Sequence, residues 1–295
     1  MATQETTAMA REKTQAERTE TAGERMRRLA ARGELTARNA DLHWLYEQSV
    51  QNVEFEAHFI DRVFKKEYGR RPTFLREDFC GTALLCAEWV RKRPENSALG
   101  VDFDGPTLEW GRRNNLAPLG ERANSVALVE DDVRNVSGEP ADVIAAMNFS
   151  WWGFKTREAL AGYFRSACAN LRPEGVLVLD CYGGPEAQVP QIEEREQDGF
   201  DYQWDQDHFN PITGEVRNLI HFRFPDGSKL KKAFRYDWRL WSLPETRELL
   251  ADCGFGKTVV FWEGTDKDGE PSGVFRPSEK GDLAPAWVAY ILAFR

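Results

Sequence analysis

The 295-residue chain lacks any C-x-x-C pair, any excess of positive charge and any apolar run of membrane-spanning length. Each absence removes a class of function. Its five cysteines, Cys80, Cys86, Cys168, Cys181 and Cys253, stand in apolar surroundings and read as reduced core thiols, not as a disulfide or zinc framework. The four histidines, His43, His58, His208 and His221, have no His-x-x-x-His spacing, so no metal site is expected. With 39 Lys and Arg against 48 Asp and Glu, the net charge of -9 gives no electrostatic reason for a nucleic-acid or anionic-membrane partner. A small molecule is the expected partner. The first residues carry no apolar signal core and mix Glu with Arg, which predicts a cytoplasmic protein.

Composition divides what is present. Residues 1–38, rich in Ala, Thr, Glu and Arg, have too little apolar surface to order themselves and are expected to form a mobile tail. Residues 39–69 place Leu42, Leu45, Val53, Phe55, Phe59, Ile60, Val63 and Phe64 at helical spacings, a helical cap. Residues 70–185 alternate short apolar runs with helical stretches, the pattern of a doubly wound α/β core with a mainly parallel sheet. Residues 186–241 change rhythm: three β-like runs joined at Asn210-Pro211 to Gly214 and at Asp226-Gly227 predict an inserted antiparallel β meander. Residues 242–295 supply a helix capped by Ser242 and Glu245 and two last strands, an antiparallel hairpin completing a seven-stranded Rossmann-like sheet.

The stretch FLREDFCGTALLCAEWV, residues 74 to 90, reads as strand, turn and helix, yet the turn holds one glycine, Gly81. A pyrophosphate-binding turn needs several glycines so that backbone N–H groups can approach the phosphates. A dinucleotide is therefore not expected. The turn resembles motif I of the class I S-adenosylmethionine-dependent methyltransferases, of the form acid-x-G-C-G-T-G, aligned on Glu77, Asp78, Phe79, Cys80, Gly81, Thr82 and Ala83. Phe79 and Ala83 replace the outer glycines. That cofactor has no phosphate, which suits a glycine-poor turn.

Companion positions follow in order. Asp102, at the end of the second strand, stands where a carboxylate accepts hydrogen bonds from ribose hydroxyls, with Phe103 next to it. Asp131, Asp132 and Val133 match the family's adenine-reading acid and backbone N–H, and Asn148 and Trp151 close the fourth strand where the family places residues over the methyl group. The resemblance also assigns Tyr46 to an aromatic folding over S-adenosylmethionine. It implies in-line methyl transfer to a small-molecule N, O or S acceptor, by positioning and desolvation. Faces of Phe79, Trp151 or Tyr46 can attract the sulfonium.

The meander lies above the carboxyl ends of the strands and is expected to act as the lid. Trp204 and Arg239 in the lid, with Trp151 and Tyr182 in the core, are the candidate substrate contacts, Arg239 being suited to a two-pronged carboxylate contact. Tyr202 and His208 are candidates to accept or relay a proton. Each has a plainer reading: Asp102 as a turn residue, Thr82 as a helix cap, Trp151 and Trp152 as core, the lid residues as solvated strand positions. Transfer of an aminopropyl or aminocarboxypropyl group, or a non-catalytic nucleoside-binding or partner subunit, are the alternatives. An exposed strand edge in the meander also allows a homodimer.

Overall fold

The computed structural model describes residues 20–267 and 271–295. Three helices come first: α1 (Ala22–Ala31), α2 (Leu42–Val50) and α3 (Val53–Tyr68). Aliphatic runs then build a parallel sheet from β1 (Phe74–Asp78), β2 (Ser97–Asp102), β3 (Val126–Glu130), β4 (Ala141–Ala146) and β5 (Leu171–Gly183), with α4 (Leu84–Lys92), α5 (Gly105–Gly111) and α6 (Arg157–Ala169) among the crossovers. Burial on both faces explains the continuous apolar character of β4, every residue of which is buried.

An antiparallel four-stranded sheet follows, β6 (Gln191–Gln197), β7 (Phe200–Phe209), β8 (Glu215–Arg223) and β9 (Lys229–Arg239) in sequential order. The chain returns through α7 (Leu243–Asp252), whose N-terminus carries the reciprocal Ser242–Glu245 cap, to β10 (Lys257–Thr265), β11 (Pro271–Pro277) and β12 (Trp287–Phe294). The large sheet has the order β11-β10-β12-β5-β4-β1-β2-β3. It has eight strands, not seven, because residues 271–277, read from sequence as loop, pair along the outer edge of β10. The insertion likewise has four strands instead of three. Beside β7 lies β6, a polar strand held by backbone pairing.

Two clusters pack the faces of the large sheet. On one face α3 and α4 bury Phe59, Phe64 and Trp89 against Val143, Val176 and Phe294; on the other, α6 and α7 bury Phe164 and Leu250 with Trp151 and Trp152. So α3 is a sheet-covering helix, and α2 alone of residues 39–69 caps the insertion. A third cluster corrects the tail boundary. Met26 and Leu35, 0% and 1% exposed, pack with Trp44, Phe200, Tyr202 and Phe222, so residues 20–38 belong to the folded body. A Thr21–Glu24 capping box starts α1, and these two apolar anchors suffice once the insertion offers them a surface. Residues 1–19 lie outside the described residues. Among the described residues no helix is long and apolar enough to cross a membrane.

Candidate functional site

The turn after β1 takes an unusual backbone path. Phe79, Gly81 and Ala83 all have left-handed φ, at 60°, 52° and 56°. These are the three glycine positions of the resembled motif. The left-handed path is adopted with only one glycine, at a cost on the order of 1 kcal/mol for each non-glycine residue. An added Cβ at Gly81 would meet only the Thr107 methyl, 3.9 Å away, so the turn is open above.

Asp102 closes the turn from the neighbouring strand. Its carboxylate accepts the Gly81 N–H at 2.8 Å and the Asp104 N–H at 3.0 Å, and burial nevertheless holds its pKa above the ordinary range. Phe103 beside it is 77% exposed, an aromatic face turned to solvent. Glu77, expected to face a ligand, is 4% exposed and accepts the Cys86 N–H at 3.0 Å; burial pushes its pKa up to about 7. Asp78 is bound to Arg76 at 2.6 Å and to the Tyr163 hydroxyl at 3.1 Å. Both acids are buried and bonded to the scaffold. Thr82 caps no helix: its hydroxyl donates to Glu47.

The next strand ends differ in exposure. Asp132 is on the surface in an ion pair with Arg134 at 2.5 Å, while Val133 is buried and its carbonyl accepts from Arg76 at 2.7 Å. After β4 the backbone turns through two left-handed residues, Asn148 and Phe149, whose N–H groups donate to the two oxygens of Asp180 at 2.7 and 2.9 Å. Asp180 is 7% exposed, and its pKa is pushed up to about 7 by burial.

A cavity of about 380 Å³ lies over the carboxyl ends of β4 and β5, between α2, α3 and the antiparallel sheet. Of the residues expected at a site, it brings together Tyr46, Asn148, Tyr182, Tyr202 and Trp204. The Tyr46 and Tyr236 hydroxyls are hydrogen-bonded to each other, Asn218 donates to the Tyr182 hydroxyl at 3.0 Å, and burial raises all three phenols. Glu56, from α3, also lines it.

Three expected residues are elsewhere. Trp151 is fully buried, its indole N–H donating to the Asp180 carbonyl at 2.8 Å and its ring against Phe164, so it is core. Arg239 stacks on Trp241 at 3.7 Å and bonds the Lys155 carbonyl and Glu245, outside the cavity. His208 is an exposed strand residue paired in register with Arg217, away from the lining. The sequence reading missed Glu47, Glu56, Asp180 and Tyr236. Only Asp180, an acid inside an apolar strand, carries a local signal, since a buried charge needs a reason.

No family model and no curated protein matches the sequence. The structure does have solved counterparts. It matches an S-adenosylmethionine-dependent methyltransferase from Clostridium acetobutylicum with a TM-score of 0.63 at 16% identity, over 85% of this chain and 96% of that one. It also matches an S-adenosylmethionine-bound amino pentose methyltransferase of calicheamicin biosynthesis from Micromonospora, at 0.61 and 14%, over 86% and 95%. A third is a sugar N-methyltransferase from Streptoalloteichus, at 0.58 and 18%, over 88% and 94%. The chain has the class I methyltransferase fold. The open turn follows β1 and the cavity lies over the ends of β4 and β5, so both are at the carboxyl ends of adjoining parallel strands, where ligands of open α/β sheets bind.

Proposed function

We propose that this chain is an S-adenosylmethionine-dependent methyltransferase acting on a small molecule held in the cavity over β4 and β5. The observation that carries the reading is the turn Phe79–Ala83, left-handed at every glycine position of motif I and tied to Asp102 through the Gly81 N–H. The residues present fit the nucleoside: Asp102 keeps acceptor capacity for two ribose hydroxyls, and the exposed face of Phe103 is free to stack on a base. By the motif resemblance, Asp132 and the Val133 N–H are the candidates to read the base edge. Glu77 and Asp78 hold the strand and helix that frame the turn.

When bound, S-adenosylmethionine supplies a methyl group on a good leaving group. The chain's task is then positioning. Asp180 fixes the Asn148–Phe149 turn between the two sites, and the aromatic walls of Tyr46, Tyr182, Tyr202 and Trp204 exclude water around the acceptor. Calorimetric titration with S-adenosylmethionine and with its demethylated product tests the cofactor half; binding of neither discards the reading. Product mass after incubation with methyl-labelled cofactor and pooled metabolites tests the transfer. Incorporation of an aminopropyl or aminocarboxypropyl mass, or binding without turnover, would replace it with one of the alternatives.

A further inference from the structure

The lining of the cavity is strongly unbalanced in charge. It contains five carboxyl side chains, and among its lining residues Arg195 is the only basic one. Arg195 lies over the Tyr202 ring at 5.7 Å and beside Glu193 at 3.9 Å, so it offsets one of the five acids and leaves the other four without a basic partner in the lining. Two of the acids, Glu56 and Asp180, are more than nine-tenths buried, and neither has an ion-pair partner among the described residues. Asp180 is occupied by two backbone N–H groups. Glu56 has only the backbone of Asn52 against its carboxyl group, and the charge of Asp180 adds to the cost of ionising it.

Burial favours the protonated form of these two carboxyl groups, and an entering cation would supply the charge partner that lets Glu56 ionise. The walls around them are aromatic: Tyr46, Trp204, Tyr236 and Trp238, the last two stacked at 4.4 Å. Aromatic faces attract cations by their quadrupole, most strongly in a desolvated site. A neutral hydroxyl or thiol can donate a hydrogen bond to a carboxylate but brings no charge to neutralise it. Resting on the methyl-transfer reading above, we infer that the acceptor is a small-molecule amine that enters as its ammonium ion, with Glu56 as its anionic anchor and Asp180 adding to the negative potential.

The same pair accounts for the proton. An ammonium has no lone pair to attack with. Burial and the neighbouring acid push the Glu56 pKa up to about 8, close to the range in which it can take a proton from an amine of depressed basicity. The N–H bond breaks toward the Glu56 oxygen, and the freed nitrogen pair forms the new N–C bond as the C–S bond breaks. That bond's electrons stay on sulfur. The product is an N-methylammonium ion with a neutral thioether, and Glu56 returns its proton to solvent.

The test uses the full chain and matched pairs of probes, benzylammonium against benzyl alcohol and cyclohexylammonium against cyclohexanol, followed by quenching of tryptophan fluorescence. The ammonium probes should bind at least tenfold more tightly than their alcohols. In Glu56→Gln, a near-isosteric change, that preference should fall to about threefold or less, with affinity for the demethylated cofactor unchanged. Asp180→Asn should reduce it in the same direction. Equal binding of alcohol and ammonium, no ammonium binding, or an undiminished preference in Glu56→Gln overturns the inference. Failure of the demethylated cofactor to bind, with the ammonium preference present, overturns instead the methyl-transfer reading and leaves a cation site.

Discussion

The Thr82 hydroxyl donates a 2.6 Å hydrogen bond to Glu47, joining the turn after β1 to a helix that covers the insertion. Asn115 completes the joint, donating to Glu47 at 2.7 Å and to the Thr82 carbonyl at 2.9 Å. Gly111 allows the approach, since a Cβ there would lie 2.3 Å from that carbonyl. Burial pushes the Glu47 pKa up to about 7. The proposed cofactor turn and the helix that covers the insertion are thus mechanically connected through one carboxyl group.

Glu47→Ala leaves the Thr82 hydroxyl and the Asn115 amide without their shared acceptor, at a cost of about 1–3 kcal/mol. Hydrogen exchange should then increase first in α2 and in the 79–83 turn. Glu47→Gln, which keeps an acceptor for both groups, should recover most of the protection. Equal protection in Glu47→Ala and the parent chain would dismiss the joint.

Ala83 is left-handed and buried, so glycine suits its backbone better than alanine does. Ala83→Gly should be stabilising or neutral, within about 1 kcal/mol, while Ala83→Val should destabilise. Phe79→Gly is different, because the gain in backbone freedom is set against loss of edge-to-face packing with Phe154 and Tyr163 at 5.9 and 5.6 Å. Denaturant midpoints of the three variants separate strain from packing.

Asp102→Ala removes both the proposed ribose acceptor and the partner of the Gly81 N–H. S-adenosylmethionine affinity should fall by about 1–3 kcal/mol. Because the turn also loosens, the ligand-free protein should lose a smaller amount of stability. Unaltered cofactor affinity would remove Asp102 from the site.

The parallel core was legible because its strands are aliphatic runs and its helices amphipathic, patterns that local sequence carries by itself. Two edge strands were not. In β6 nearly all side chains are exposed, and β11 is bounded by Pro271 and Pro277, as an edge permits. Their strand state comes from backbone pairing with a neighbour, which leaves no hydrophobic period. Helix α1 was hidden for a related reason, since Met26 is its one buried residue. In the site, Glu56 and Glu47 read as ordinary polar positions of amphipathic helices until tertiary packing encloses them. Arg239 shows the opposite error: a residue chemically suited to a carboxylate had already been taken by Trp241 and Glu245.

That contrast sets a paired test. Arg239→Ala should cost about 1 kcal/mol of stability through its lost stacking and ion pair, with substrate KM unchanged. Trp204→Leu removes a wall of the cavity and should weaken acceptor binding by about 1.5–3 kcal/mol, roughly 10- to 100-fold in KM. The reverse pattern would move the acceptor site from the cavity to the outer face of β9.

The last expectation is a stability profile that declines from mildly acidic to alkaline pH. Glu56 rises to about 8, and Glu47, Glu77 and Asp180 each to about 7, in every case chiefly because burial disfavours the charged form. Unfolded, they titrate near 4.5 for the glutamates and 3.8 for the aspartate. Between those values and 7–8 the folded chain holds protons that the unfolded chain has released, so stability is fully present below the unfolded pKa and is lost as pH rises through the folded one. Asp142 acts oppositely: backbone N–H groups of Thr73 and Phe74, with Arg70 and Arg172, hold its pKa below 3.8 although burial opposes them. Its contribution is present above pH 3.8 and disappears as pH falls through the lower folded value. A tenfold change in proton affinity is worth about 1.4 kcal/mol, so the four raised acids together amount to several kcal/mol. The melting temperature at pH 5.5 should therefore exceed that at pH 8.5, by roughly 2–4 °C per kcal/mol. Glu56→Gln removes the largest single contribution and should flatten the slope by raising the alkaline value. A profile that climbs toward pH 8.5, or a slope that Glu56→Gln leaves intact, would mean that these carboxyl groups find charge partners or water in the folded protein.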